Sequence, residues 1–208
     1  MELELRRGHL QTMAKIAFIL FVVNAIGLSL AANIMGTNQS ISCGETLVSS
    51  DLTFELGFFT RGNSSMSYLG IWYKFSPQTV VWVANRDNPL ADRNGVIRFS
   101  NVSNLVVLNQ SNGVVWSSKL SRVLRNLVAQ LLDSGSLVLW DKSGSSVDEA
   151  YSWQSFDYPT DMLLPSLKLG LNLKTGLEWH LTAWKSINDP SPGDYINVLK
   201  LSSGSTSV

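Results

Sequence analysis

Asp157 and Asp161 stand four residues apart in Ser155-Phe156-Asp157-Tyr158-Pro159-Thr160-Asp161 and form the carboxylate pair that most suggests acid–base chemistry. Glycoside hydrolysis needs two such groups, one protonated and one ionised. The intervening Tyr158-Pro159-Thr160 favours a turn instead, where Asp commonly bonds its own backbone. His180 has no cysteine or second histidine near it in sequence, so neither a zinc site nor a Ser-His pair is indicated. Cys43 is the only cysteine; it excludes an intrachain disulfide and reads as a small buried hydrophobe ahead of a reactive or intermolecular thiol. The polar groups of Asn85-Arg86-Asp87 could meet a partner, but a turn holding an internal Arg–Asp pair is the simpler reading. No residue set calls for a metal or a cofactor, and binding is indicated ahead of catalysis.

The elements that would position these residues are strands. Trp82, Trp116 and Trp153 lie 34 and 37 residues apart, each after an apolar strand and a polar connection: Leu69–Tyr73 leads to Trp82, Asn104–Leu108 to Trp116, and Ser136–Trp140 to Trp153. A period of that length marks repeated units that stack to share one core. Phe54, Leu56 and Phe58 alternate onto one sheet face. Asn94-Gly95 and Asn112-Gly113 read as hairpin turns, because both positions tolerate positive φ, and Ser134-Gly135 reads as a third. The prolines and glycine of Asp189-Pro190-Ser191-Pro192-Gly193-Asp194 predict a loop after a strand at Leu181–Ser186. The expectation is a three-fold all-β domain built around the tryptophans.

Sixteen basic residues balance sixteen acidic ones, so no nucleic acid and no anionic membrane surface is expected as a partner. At the start, Arg6, Arg7 and Lys15 precede the apolar run Ile16–Val23 and small residues at Ser29 and Ala31. This predicts a signal peptide over residues 1–32, cleaved near Ala31 or Ala32, with an uncleaved anchor as the alternative and Met13 as a second usable start. Asn38, Asn63, Asn101 and Asn109 fit the N-glycosylation pattern. About three such matches are expected by chance from 15 Asn and the Ser and Thr content, so they agree with secretion without establishing it.

Four long motifs in one order carry a family resemblance: Trp82–Pro89, Leu131–Gly135, Trp153–Asp161 and Leu181–Ser186. Residues 43 to about 195 resemble the ectodomain of plant S-locus-type (G-type) lectin receptor-like serine/threonine kinases and of their secreted S-locus glycoprotein relatives. The resemblance implies a bulb-type lectin domain at 33–157, a β-prism II of three four-stranded sheets with pseudo-three-fold symmetry, followed at 158–208 by a linker and the start of an S-locus glycoprotein region. A full family member continues through cysteine-rich modules, a membrane span and a cytoplasmic kinase. None of these is read in this sequence, which suggests a truncated gene model, a splice form or a secreted fragment, with membrane attachment only through a downstream span.

The resemblance also implies where sugar would bind. Mannose-binding members carry Gln-x-Asp-x-Asn-x-Val-x-Tyr on one strand of each repeat, with alternation expected to point the five side chains to one face. The corresponding positions are Ser65, Ser67, Leu69, Ile71 and Tyr73 in the first repeat, Ser100, Val102, Asn104, Val106 and Leu108 in the second, and Leu132, Ser134, Ser136, Val138 and Trp140 in the third. Only Asn104, Val106, Val138 and Tyr73 keep the family's residue. The expected function is a secreted or cell-surface recognition module with degenerate mannose sites, from a family linked to pollen recognition. It would bind a glycan or a protein or peptide ligand, or pair with a full-length receptor kinase. An active mannose-binding lectin is the alternative and a cell-wall enzyme the third reading.

Overall fold

The computed structural model describes residues 32–120, 123–143 and 151–199, so the expected signal peptide, apart from its last residue Ala32, lies outside the described residues. Three short strands come first: β1 (Ile34–Gly36), β2 (Ser40–Ser42) and β3 (Thr46–Val48). Three meanders follow. The first is β4 (Phe54–Thr60), β5 (Ser67–Tyr73) and β6 (Ser76–Val83), and the second is β7 (Val96–Phe99), β8 (Leu105–Leu108) and β9 (Val114–Ser117). The third is β10 (Leu127–Leu131), β11 (Leu137–Asp141) and β12 (Trp153–Gln154), after which Ser155–Asp157 form one 3₁₀ turn.

Each meander gains its fourth strand from the opening segment. β3 pairs with β4, β2 with β7 and β1 with β10, all antiparallel, so the first strands tie the three repeats together in reverse order. The result is the expected β-prism of three four-stranded sheets. Each opening strand adds one side chain to the shared core: Met35, Ile41 or Leu47.

Cross-strand register fixes the three-fold equivalence. Ile71 lies opposite Trp82, Val107 opposite Trp116 and Leu139 opposite Trp153. Strand alternation then sends Leu69 and Ile71, Leu105 and Val107, and Leu137 and Leu139 into one shared core, where all six are fully buried. The three indoles meet edge to face, with ring centroids 6.1, 6.1 and 5.8 Å apart and interplanar angles of 80, 74 and 74°. This is the arrangement the ring quadrupole favours. The buried Trp82 donates Nε1–H to the Tyr158 carbonyl at 2.9 Å, which fixes the segment after the prism against its axis.

Two of the expected turns form. Asn112 adopts φ 62° between β8 and β9, where the Asn109 amide donates to the Gly113 carbonyl, and Gly135 adopts φ 85° between β10 and β11. Asn94-Gly95 does not form a hairpin. β7 pairs with β2 and β8, not with the segment before that dipeptide. Gly95 answers a different need, since a Cβ there would come within 2.4 Å of Leu90 Cδ1 and 2.7 Å of Phe58 Cε1.

Beyond the prism lie two hairpins, β13 (Gly170–Leu171) with β14 (Glu178–Trp179), and β15 (Leu181–Ser186) with β16 (Asp189–Asn197). β16 corrects the expected loop. Its prolines, Pro190 and Pro192, lack N–H donors but sit in one strand of a two-stranded ribbon with irregular register, and such an edge tolerates missing ladder bonds. Among the described residues no helix is long and apolar enough to cross a membrane.

Candidate functional site

The strands expected to carry sugar are β5, β8 and β11, and the register decides which of their residues face outward. With Ile71, Val107 and Leu139 inward, the outward sets are Tyr68, Gly70 and Trp72; Val106 and Leu108; and Val138 and Trp140. Tyr73 is therefore misplaced in the sequence mapping: it packs against the shared core and lies 4.7 Å from Phe54, ring to ring. The first-repeat mapping is shifted by one residue, and a one-residue slip exchanges the two faces of a strand. The five-position alternation also breaks at its start. Ser100 and Val102 lie in the β7–β8 turn, where Ser103 has φ 63°, and Leu132 and Ser134 lie in the β10–β11 turn.

The remaining candidates are occupied or covered. Asn104 Oδ1 accepts the Leu120 amide at 2.6 Å and the Ser118 hydroxyl at 3.4 Å. Val106 is 5% exposed and Val138 is 0% exposed. Asn104 belongs to a structural device that recurs in each repeat. A polar side chain just after each tryptophan accepts the N–H of the inward leucine: Asn85 takes Leu69 at 2.8 Å, Ser118 takes Leu105 at 3.1 Å and Ser155 takes Leu137 at 2.9 Å. Such acceptors satisfy backbone donors that would otherwise be buried and unpaired. Asn85, read from the sequence as a turn residue, is thus a sheet-edge acceptor, 2% exposed.

Arg86 also departs from the sequence reading. It forms no ion pair with Asp87. Its guanidinium is buried and donates Nε–H to the Pro190 carbonyl at 2.7 Å and Nη2–H to the Ala183 carbonyl at 2.9 Å. These bonds hold the β15–β16 hairpin to the tryptophan turn. Burial pulls the Arg86 pKa down, opposed by Asp161 and then Asp87.

The hairpin lies on the outer face of the first sheet. Tyr68, Trp72, Val80 and Val83 form a second apolar cluster there, closed by Phe59 and Trp184. Trp184 stacks on Phe59 with centroids 6.5 Å apart, and Arg61 sits 5.2 Å above the Trp184 ring and 5.6 Å from that of Phe59. The Tyr68 hydroxyl lies 3.2 Å from Asp189 Oδ1 and 3.3 Å from Ser191 Oγ. The first of the three sugar-strand faces is therefore closed by a later part of the same chain.

The two carboxylates of the turn have separate structural settings. Asp157 pairs with Lys168 at 2.5 Å. Asp161 is half-buried near Arg86, Trp184 and Thr160; burial raises its pKa, and those three neighbours oppose the rise. Cys43 is half-buried, not fully buried as expected. Among the described residues no group of three His, Cys, Asp or Glu could hold a metal ion. Asn38, Asn63 and Asn101 are exposed, while Asn109 is half-buried and its Oδ1 accepts from the Ser111 amide, the Ser111 hydroxyl and the Gly113 amide.

Three antiparallel four-stranded sheets around a tryptophan triad define a β-prism domain of the lectin type. The family model described as D-mannose binding lectin matches residues 79–185, and the chain belongs to that family. It is 48% identical over 182 residues to the S-locus-specific glycoprotein S6 of Brassica oleracea, covering 85% of this chain and 41% of that one. It is 51% identical over 172 residues to the receptor-like serine/threonine-protein kinase SD1-8 of Arabidopsis thaliana, covering 80% of this chain and 20% of the kinase. The chain thus spans between a fifth and two fifths of the length of these relatives, and the matched portion takes in the lectin region. Among solved structures, the Marasmius oreades lectin is similar with a TM-score of 0.46 at 16% identity, over 60% of this chain and 90% of that one.

Proposed function

We propose that this chain is an extracellular recognition module of the S-receptor-kinase and S-locus-glycoprotein type whose three sheet faces do not hold mannose. It engages a glycan or a protein or peptide ligand elsewhere on its surface, or pairs with a full-length receptor kinase. In this reading residues 1–32 are removed on export and residues 33–157 form the lectin body. Residues 158–208 form the linker and the start of the next region, and Asn38, Asn63, Asn101 and Asn109 accept glycans.

One observation carries the proposal: no outward strand presents a convergent polar set. The first face offers Tyr68, Gly70 and Trp72 beneath a hairpin, the second has its one amide committed to Leu120 and Ser118, and the third offers Ser136, Val138 and Trp140. A hydrogen bond exchanged with water nets only about 1 kcal/mol, so a millimolar dissociation constant, about 4 kcal/mol, needs several partners at once. Calorimetry with methyl α-D-mannoside is expected to give no binding heat at millimolar sugar. A dissociation constant at or below about 1 mM would overturn the reading and restore the active mannose lectin.

A further inference from the structure

The tryptophan end of the prism is built differently from the three sheet faces. The segments that follow β6, β9 and β12 converge there and enclose a cleft of about 540 Å³ whose floor is the tryptophan triad. That volume falls in the range of small-ligand sites. Trp116 is the triad member that is not fully buried, and Tyr158, 55% exposed, stacks on Trp153 with centroids 5.6 Å apart and planes 18° from parallel. One face of the phenol ring is thus held by Trp153 while the side chain remains open to solvent.

Thr160 supplies an independent sign of a ligand. It lines the cleft and is only 6% exposed, yet its Oγ1 has no hydrogen-bond partner of acceptable geometry. The hydroxyl does lie near enough to Asp161 to help hold down that carboxyl's pKa. A buried hydroxyl left without a full hydrogen bond destabilises a fold unless something outside the chain completes it. At the rim Asp87 and Lys119 are exposed, one charge of each sign.

We infer that this cleft is a saccharide site that takes a short neutral oligosaccharide. The C–H edge of a pyranose ring carries the partial positive charge that the negative face of an aromatic ring attracts, and the sugar's hydroxyls can satisfy Thr160. Asp87 and Lys119 at the rim, and the Arg86 guanidinium with Asp161 near it, balance in charge and give no preference for an anion or a cation. The assignment rests on the recognition-module reading and names the ligand class and place which that reading leaves open. It does not depend on the sheet faces: it uses the residues after each tryptophan, not those on the outward strands.

The triad itself reports occupancy. The whole chain is titrated with cellotriose, xylotriose, tri-N-acetylchitotriose and methyl α-D-mannoside while tryptophan emission is followed. At least one trisaccharide should shift the emission, and Tyr158→Ala and Thr160→Val should each weaken its binding at least tenfold. Thr160→Ser, which keeps the hydroxyl, should bind as the parent does, and each variant's melting temperature is read beside the parent's, so loss of binding in Thr160→Val cannot be ascribed to misfolding. Ile187→Ser, at the exposed tip of the β15–β16 hairpin, should bind as the parent does. The inference is overturned if no trisaccharide moves the emission, or if both cleft variants bind like the parent. Binding of methyl α-D-mannoside that survives both cleft variants would instead sink the reading of the sheet faces.

Discussion

Replacing Arg86 tests whether the β15–β16 hairpin is docked as the structure has it. Arg86→Ala removes two hydrogen bonds from a buried guanidinium, at 2.7 and 2.9 Å, and leaves the Pro190 and Ala183 carbonyls without those donors. Hydrogen bonds to a charged group contribute about 1.5–3 kcal/mol each. Against that stands the desolvation that already lowers the Arg86 pKa, a penalty that disappears with the side chain. The balance is a loss of about 2–4 kcal/mol, and Arg86→Lys should recover only part of it because an ammonium lacks the planar fork that reaches both carbonyls. Urea melts followed by tryptophan fluorescence give the number. A double-mutant cycle with Trp184→Ala, which loosens the same hairpin from Phe59, supplies the sharper test. Arg86→Ala should cost at least about 1 kcal/mol less in the Trp184→Ala background than in the parent. A single-variant loss below about 1 kcal/mol, or additivity within about 0.5 kcal/mol, would refute docking through Arg86.

Two further outcomes follow from packing and charge. Trp116→Ala breaks two edge-to-face contacts, at 6.1 and 5.8 Å, and because the ring is only partly buried the loss should fall near the low end for aromatic deletions, about 3 kcal/mol; a loss under about 1 kcal/mol in denaturant would remove Trp116 from the core. Asp51 accepts from the Thr53 hydroxyl, the Ser49 hydroxyl and the Thr53 amide, which hold its pKa at about 2, below the ordinary 3.8. Its folded-state pKa is depressed, so its stabilising contribution is whole above the ordinary value and fades as pH falls toward about 2. Urea midpoints of the parent and Asp51→Ala should therefore converge over that interval, and a gap that stays constant would show that the carboxylate's charge contributes nothing.

The repeat was legible because it is written in large residues at a regular spacing: three tryptophans, each preceded by an inward-facing strand, leave little freedom for how three sheets can share a core. The opening strands were not. Each of β1, β2 and β3 has three residues and one inward side chain, and no period can be detected in so short a segment. Register in the first repeat was hidden for a different reason. β5 is buried on both faces from Ser67 to Trp72, so alternation carries no information about which face is which, and only the pairing of Ile71 with Trp82 settles it. Gly95 looked like a turn residue because Asn-Gly usually is one, but its need for space comes from the packing of Leu90 and Phe58 against it, which no turn pattern records. β16 read as a loop because its prolines count against a strand until the sequence is known to lie at an edge.

The hidden register and the misread β16 belong together. A sheet whose outer face carries Tyr68, Trp72, Val80 and Val83 would leave a contiguous apolar patch in water, and such patches are normally covered. The β15–β16 hairpin covers it, with Trp184 against Phe59 and Arg86 holding the ribbon by its carbonyls. A face cannot both present hydroxyl-binding side chains to a sugar and receive an aromatic hairpin. The apolar outer residues of β5 and the docked hairpin therefore belong together, and the first sheet's outer face serves an intramolecular contact. On the other two faces β8 and β11 lack a polar set for another reason: Asn104 serves the Leu120 amide, and Val106 and Val138 are buried. With one face closed by the hairpin and the outward strands β8 and β11 without a convergent polar set, the tryptophan end is where aromatic rings, a buried hydroxyl and open volume come together, and the recognition chemistry of this chain is to be sought there.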